Sequence, residues 1–270
     1  MSMDRLKSRY GLTRMPFNRG IQPQALYQHP SHREAIARID WCDTQRQLGV
    51  ITGEVGAGKT VAVRAALAQL EPSRHQIIYV ADLTITMRGI HTAIVTALGG
   101  TPSFYSGVLV AQTAALLAGE LGKRARLPVV VTDEAHLLSN TDLEALRMLT
   151  NADMDTGSHF AMHLIGQPTL RRRLKLAVLA ALDQRISTRY TITGMGQADT
   201  VDYIRHHVQF AGRSDPLFSD DAIHAIHQAS RGYPRAVNNL AVAVLIATYA
   251  ADKSIVDLAA AQSAITENSE

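Results

Sequence analysis

The sequence predicts an α/β fold, in which a parallel sheet lies between two layers of helices, followed by a smaller all-helical domain. Between residues 48 and 193, short apolar runs alternate with helical patterns, which is typical of buried parallel strands joined by helices. After Gly194 the strands stop and only helical patterns follow. The chain has 270 residues, of which 46% are apolar and 19% charged. This composition excludes disordered and fibrous proteins.

The elements follow one another with clear boundaries. Ser31 and Glu34 form a capping-box pattern at the start of the first helix, Gly99-Gly100 ends a helix, and Pro128 precedes an uncharged strand. Strands are predicted at 48–52, 76–81, 129–132, 160–165 and 188–193. Helices are predicted at 31–44, from the Gly-rich turn to about 70, and at 88–98, 107–121, 141–151, 169–182, 197–211, 219–230, 234–250 and 256–267.

These elements divide the chain into three parts. Residues 1–30 are an irregular basic segment, 31–194 form the α/β domain, and 195–270 form the helical domain. The longest apolar run, residues 240–251, is too short for the roughly 20 residues of a membrane span. The N-terminus has no apolar signal region. We therefore expect a cytoplasmic protein that makes no contact with a membrane.

The charge and cysteine content set further limits. The formal net charge is +3 and the isoelectric point is about 9.1, which permits an acidic partner such as nucleic acid without requiring one. Cys42 is the single cysteine. A disulfide within the chain and a cysteine-based zinc cluster are therefore excluded.

A phosphate-binding motif lies between the first strand and the next helix. Residues 53–60, GEVGAGKT, match G-x-x-x-x-G-K-[ST], the P-loop pattern. Glycines let backbone N–H groups face phosphates, and the helix N-terminus adds positive potential. Lys59 is predicted to reach the β- and γ-phosphates of ATP, and Thr60 to hold Mg²⁺. The predicted cofactor-binding residues are Gly53, Glu54, Val55, Gly56, Ala57, Gly58, Lys59, Thr60, Val61 and Arg235.

A second motif supplies two carboxylates. Residues 129–134, VVVTDE, form an apolar strand that ends in Asp133 and Glu134, the Walker B pattern. Asp133 is predicted to bind Mg²⁺ through water, and Glu134 to polarise the attacking water. The second carboxylate favours an ATP hydrolase over a nucleotide kinase. An acidic cap of the next helix is the alternative.

Weaker signals follow in the chain. Gln167 would orient water if its strand lies between the P-loop strand and the Walker B strand; loop chemistry before Pro168 is the alternative. Arg185, or as second choice Arg189, ends a helix before the last strand and can reach a neighbouring subunit's nucleotide. Arg235 begins a helix from which it can contact the phosphates. For each of these arginines the alternative is a solvated or ion-paired side chain.

Several basic residues are candidates for DNA contact. One predicted helix carries four of them, for which a solvated face is the favoured alternative because consecutive residues cannot share one helical face. The candidates are Arg88, Arg171, Arg172, Arg173 and Lys175, and the basic N-terminal segment either touches DNA or wraps the domain. The sequence shows no aromatic stacking ladder and no base-reading helix, so we expect any binding to double-stranded DNA to be through its backbone and independent of base sequence.

The motifs together resemble one family. GEVGAGKT, VVVTDEAH, LIGQP, ALDQRI and SRGYPRAVNNL, in this order, resemble the AAA+ ATPases of the ExeA and TniB/TnsC type. The resemblance implies a P-loop AAA+ domain with a small helical lid domain. It also implies Walker motifs at Lys59, Thr60, Asp133 and Glu134, sensor 1 at Gln167, an arginine finger at Arg185 and sensor 2 at Arg235. Sensor 1 is Asn or Thr in many AAA+ proteins, so Gln167 departs from the pattern.

The resemblance also implies a function. With no membrane span predicted, the chain is similar to the compact ATPases that accompany DDE-type transposases, such as TniB, TnsC, MuB and IstB. These bind ATP, oligomerise on double-stranded DNA as rings or helical filaments, and recruit a transposase or integrase. The alternatives are an ExeA-like ATPase of secretion or envelope assembly, which does not respond to DNA, and a nucleotide-dependent protein-interaction switch, against which Glu134 argues.

Overall fold

The computed structural model describes residues 3–18, 26–81, 86–150 and 157–268. Two compact units are present. The α/β unit consists of Arg33–Val55 and Lys59–Ile192, and the helical unit of Met1–His32, Gly56–Gly58 and Thr193–Glu270. Residues 19–25, with Arg19 of the basic segment, lie outside the described residues. The division into segments 1–30, 31–194 and 195–270 stays a prediction.

The α/β unit is built on a five-stranded parallel sheet. The strands are β1 (Leu48–Gly53), β2 (His75–Val80), β3 (Leu127–Thr132), β4 (Ala161–Gly166) and β5 (Ile186–Ile192). Their order is β2-β3-β4-β1-β5, and every pairing is parallel. The predicted α/β fold class is therefore confirmed. The central strands β1 and β4 are buried at every residue, because helices cover both faces of the sheet.

The helices alternate with these strands and then continue alone. Their bounds are α1 (Met3–Tyr10), α2 (Pro30–Gln45), α3 (Lys59–Leu67), α4 (Met87–Ala97), α5 (Ser106–Arg124), α6 (Asn140–Leu149), α7 (Pro168–Arg173), α8 (Ala180–Arg185), α9 (Gln197–Phe210), α10 (Asp220–Ser230), α11 (Pro234–Ala250) and α12 (Leu258–Glu267). Short 3-10 turns lie at Ala135–Leu137 and Ala177–Leu179. Among the described residues, no helix has the length and apolar character that crossing a membrane requires.

The structure corrects the helix predicted at 169–182. The segment forms α7, a 3-10 turn and α8. Leu170 and Leu179 are both fully buried. They would lie on opposite sides of one continuous helix, since nine residues at 100° each leave them half a turn apart. Breaking the helix lets both side chains enter the core.

Two expectations near the N-terminus were also wrong. Residues 3–10 form helix α1, because Leu6 and Tyr10 are four residues apart and bury one face in the core of the helical unit. Ser31 does not cap α2, which begins at Pro30. The Ser31 hydroxyl instead accepts a hydrogen bond from the backbone N–H of Thr193 at 3.1 Å.

Within the helical unit, aromatic rings surround a buried histidine. The rings of Phe17 and Tyr203 lie 5.2 and 4.4 Å from that of His207, centre to centre. Burial, with a smaller contribution from His206, lowers the pKa of His207 to about 4. In the unfolded chain the pKa is near 6.5, so protons bind preferentially to the unfolded state between these two values.

The buried histidine predicts a loss of stability in acid. His207 alone should lower the free energy of unfolding by about 2 kcal/mol between pH 7 and pH 5, because its imidazole gains a proton in the unfolded state that it does not bind in the folded state. Urea unfolding at both pH values measures this. The variant His207→Gln should lose this contribution, whereas His224→Gln, at an exposed position, should keep it. An unchanged pH dependence in His207→Gln would contradict the assignment.

Candidate functional site

The segment between β1 and α3 has the backbone of a phosphate-binding loop. Gly56 and Gly58 have φ angles of +82° and +90°, which disfavour residues with a side chain. The Lys59 Nζ donates to the carbonyl oxygens of Gly53 and Glu54 at 3.0 and 3.1 Å. Within the described chain, the backbone N–H groups of residues 54–58 make no hydrogen bond. Loop N–H donors, a lysine and a helix N-terminus are the groups that fit a triphosphate.

Asp133 joins three elements at the carboxyl end of the sheet. Its Oδ2 accepts hydrogen bonds from the Thr60 hydroxyl at 3.0 Å and from the Tyr79 hydroxyl at 2.6 Å. Its Oδ1 accepts from the backbone N–H of Glu134 at 2.8 Å. Burial and the bond to Asp133 raise the pKa of Tyr79 above its usual range. A hydroxyl next to a carboxylate is a donor set that fits Mg²⁺.

Glu134 lies beside Asp133 in a left-handed conformation, with φ of +52°. Its Oε2 is 3.2 Å from Nδ1 of His136. The Glu134 side chain is more exposed than that of His136, at 37% against 11%. The Glu134 carboxylate is therefore accessible to a water molecule, and the His136 ring lies beside it.

Gln167 lies at the same edge of the sheet. Strand β4 is between β1 and β3, which is the arrangement that its predicted role requires. Gly166, the residue before Gln167, pairs with Thr52 of β1. Gln167 and the loop after Gly53 therefore follow the carboxyl ends of two neighbouring strands. Its role as sensor 1 stays a prediction.

Arg185 lies at the opposite end of the strands, where their amino ends meet. Ile186 pairs with Leu48 at the start of β1, whereas the phosphate-binding loop follows the end of β1, about 20 Å away for six residues. Arg185 and Arg46 line one cleft of about 420 Å³ in the α/β unit. Arg189, the second choice for the finger, forms an ion pair with Asp183 at 2.9 Å.

In the helical unit, Arg235 begins α11 beside Gly56. The backbone N–H of Arg235 donates to the Gly56 carbonyl at 3.2 Å, and a Cβ on Gly56 would lie 2.9 Å from the Cβ of Arg235. Nε2 of His32 lies 3.2 Å from the Ala57 carbonyl, and burial lowers the pKa of His32.

Most of the candidate DNA contacts have partners within the chain. Arg88 donates to the Ser103 carbonyl at 3.2 Å, Arg171 to the Thr191 hydroxyl at 3.0 Å, and Lys175 pairs with Asp183 at 3.0 Å. Arg173 donates to backbone carbonyls of the turn after Glu134. Within the described chain, the exposed Arg172 side chain has no hydrogen bond or ion pair.

Sequence reasoning missed two residues beside the acidic pair. Tyr79 contacts Asp133, and His136 lies beside Glu134. In the helical unit it also missed His32, which lies 3.2 Å from the Ala57 carbonyl. Tyr79 is on a strand that the sequence predicts, but its proximity to Asp133 depends on the pairing of β2 with β3. The position of His136, two residues after Glu134, was the one local signal.

Comparison with known proteins relates part of the chain to one domain family. Residues 42–174 match the AAA domain family AAA_22. The chain is 34% identical over 249 residues to general secretion pathway protein A of Aeromonas hydrophila. That alignment covers 89% of this chain and 44% of the relative, so the chain spans less than half of the relative's length.

Solved structures share the fold of this chain. Cdc6p of Pyrobaculum aerophilum superposes with a TM-score of 0.67 at 16% identity, over 89% of this chain and 67% of its own. The Aeropyrum pernix ORC1 protein in complex with DNA gives 0.63 at 16% identity, over 90% and 66%. These likenesses show the P-loop AAA+ fold.

Removing the Tyr79 hydroxyl should weaken the use of Mg²⁺. In Tyr79→Phe, Asp133 loses one of the hydrogen-bond donors that fix its orientation. The Mg²⁺ concentration for half-maximal binding of a fluorescent ATP analogue should therefore rise about fivefold, which corresponds to about 1 kcal/mol. Tyr105→Phe, exposed and distant in sequence from the acidic pair, is the matched control. Equal Mg²⁺ dependence in the two variants would contradict the role of Tyr79.

Proposed function

We propose that this chain is a magnesium-dependent ATP hydrolase of the ExeA type. The observation that carries the proposal is the meeting of Lys59, Thr60, Asp133 and Glu134 at the carboxyl end of one parallel sheet. Lys59 and the loop N–H groups would hold the phosphates of ATP, and Thr60 and Asp133 would hold Mg²⁺. The metal ion neutralises charge on the phosphates when bound.

Within this proposal, Glu134 accepts a proton from the attacking water. Its carboxylate is exposed enough to contact water and lies 3.2 Å from Nδ1 of His136. Gln167 follows the strand between those of the P-loop and Asp133, so its amide is proposed to orient the same water. Arg235, next to Gly56, is proposed to contact the phosphates.

Arg185 is proposed to act on another copy. It lies at the amino ends of the strands, whereas the phosphate-binding loop of its own α/β unit lies at their carboxyl ends. A side chain about 7 Å long cannot reach that loop along a strand of about 20 Å. A guanidinium that completes a nucleotide site therefore comes from a neighbouring subunit. The proposal predicts a homo-oligomer, ring or filament, that ATP stabilises.

The sequence relation supports the partner class. The 34% identical relative is a general secretion pathway protein, so we propose that this chain couples ATP turnover to a protein assembly of a secretion pathway or of the cell envelope. We prefer this hypothesis to the main expectation from the sequence, which was the regulation of a transposase or integrase.

A DNA-bound regulator of transposition is the second candidate. The observation that favours it is Arg172, an exposed guanidinium without a partner in the described chain, next to the exposed Arg171. Duplex DNA discriminates the two candidates. Stimulation of the ATPase by duplex DNA, with a steep decrease in added salt, supports the second one, and an ATPase that is indifferent to DNA supports the first.

Two substitutions test the hydrolase directly. Glu134→Gln should lower the turnover number by about 100-fold or more, because the general base is lost, and should leave binding of the ATP analogue intact. Lys59→Ala should weaken binding itself by at least about tenfold, since a charge-assisted contact to phosphate is lost. Steady-state ATPase assays and fluorescence titrations measure both. A wild-type chain with neither binding nor turnover would refute the proposal.

Mixing two inactive variants tests the action of Arg185 on a neighbour. Lys59→Ala keeps the arginine and Arg185→Ala keeps the phosphate-binding loop, so an equal mixture should regain about a quarter of the wild-type activity in randomly mixed oligomers. The control replaces Lys59→Ala by the double variant Lys59→Ala/Arg185→Ala, which supplies neither group and should restore nothing. No recovery in the first mixture would contradict action on a neighbouring subunit, and an active Arg185→Ala variant would place Arg185 outside the site.

A further inference from the structure

Arg173, the last residue of α7, holds the turn that follows the acidic pair. Its Nη1 donates to the His136 carbonyl at 2.8 Å and its Nη2 to the Leu138 carbonyl at 2.6 Å. Nη2 and Nε also donate to Oδ1 of Asn140 at 2.8 and 3.3 Å. The half-buried guanidinium therefore spans three acceptors within five residues, which the flat fork of arginine can do and a lysine ammonium cannot.

The turn that Arg173 holds also carries the proposed general base. Glu134 accepts the backbone hydrogen bond of Leu137 at 2.9 Å, and its side chain is 3.2 Å from Nδ1 of His136. Arg173 therefore binds the carbonyl oxygen of His136, and the ring of His136 lies beside the Glu134 carboxylate. On the far side, the turn ends at Ser139, which caps α6 through a reciprocal bond with Asp142.

The other end of α7 lies against the same turn. A Cβ on Gly166, just before Gln167, would lie 3.2 Å from the backbone nitrogen of His136. Between the two ends, Leu170 is fully buried and its Cδ2 would be 2.9 Å from that Cβ. The residue before Gln167 and, through Arg173, the last residue of α7 therefore both lie against the turn, and Leu170 packs on Gly166 between them.

We propose that Arg173 is a positioning residue for ATP hydrolysis. It acts through the 134–138 turn, by keeping His136 and the left-handed Glu134 in the conformation that aims the carboxylate at the attacking water. The inference rests on the proposed hydrolase function and reassigns Arg173 from the candidate DNA contacts. Arg173 does not touch the nucleotide, so its loss lowers the rate of the chemical step without weakening nucleotide binding.

The neighbouring arginine provides a matched control. Arg173→Gln and Arg172→Gln remove the same charge from adjacent positions, and the Arg172 side chain has no partner in the described chain. Arg173→Gln should lower the turnover number about tenfold, with the affinity for a fluorescent ATP analogue within twofold of wild type. Arg172→Gln should leave both unchanged. Arg173→Lys should recover less than half of the lost activity, because one ammonium cannot span the three acceptors.

A double-mutant cycle separates positioning from general support of the fold. If Arg173 acts through Glu134, Arg173→Gln should have no further effect on the residual turnover of Glu134→Gln. An equal tenfold loss in both backgrounds would overturn the proposal, and so would a matching loss of nucleotide affinity. If Arg173→Gln fails to fold, Asn140→Ala, which removes one acceptor, should show the same dependence on Glu134 with a smaller loss.

The remaining outcomes are also distinguishable. Loss of duplex DNA affinity in Arg173→Gln but not in Arg172→Gln, with turnover intact, would make Arg173 a phosphate contact and overturn the positioning role. Wild-type chain that binds and hydrolyses ATP, together with an unaffected Arg173→Gln, refutes the positioning proposal alone. Wild-type chain without any turnover refutes the hydrolase proposal and this inference with it.

Discussion

The hydrogen bonds that converge on the Asp133 carboxylate are the constraint on which the candidate site depends. Thr60 reaches it from the first turn of α3, Tyr79 from β2, and the Glu134 backbone from the turn after β3. Each oxygen of a carboxylate accepts more than one hydrogen bond, so a single side chain fixes three elements. The parallel sheet makes this convergence possible, because the carboxyl ends of its strands lie along one edge.

The same sheet separates the site from Arg185. A parallel strand has one end at each edge, so the residue before β5 and the loop after β1 lie at opposite edges. A finger in this position cannot serve the nucleotide of its own α/β unit. The assembly of copies is therefore part of the proposed mechanism, and nucleotide binding and association become thermodynamically linked.

The arginines show how one residue type takes several roles. Arg173 binds the carbonyls of a turn, Arg189 pairs with Asp183, and Arg172 lies exposed with no partner in the described chain. Adjacent helical residues point about 100° apart, so a run of three arginines cannot share one environment. A basic run is therefore weak support for a nucleic-acid surface until each guanidinium is located.

The sequence by itself determined the fold class and predicted the chemistry of the loop. Gly56, Gly58, Lys59 and Thr60 lie close together in the chain, and buried strands show as uncharged runs, so local patterns predict both. Only the tertiary structure decided which side chains meet across strands. Tyr79 reaches Asp133 and Arg173 reaches His136 through contacts 54 and 37 residues apart. Such contacts depend on strand order and on the break after α7, which burial of Leu170 and Leu179 together imposes and which no local pattern specifies.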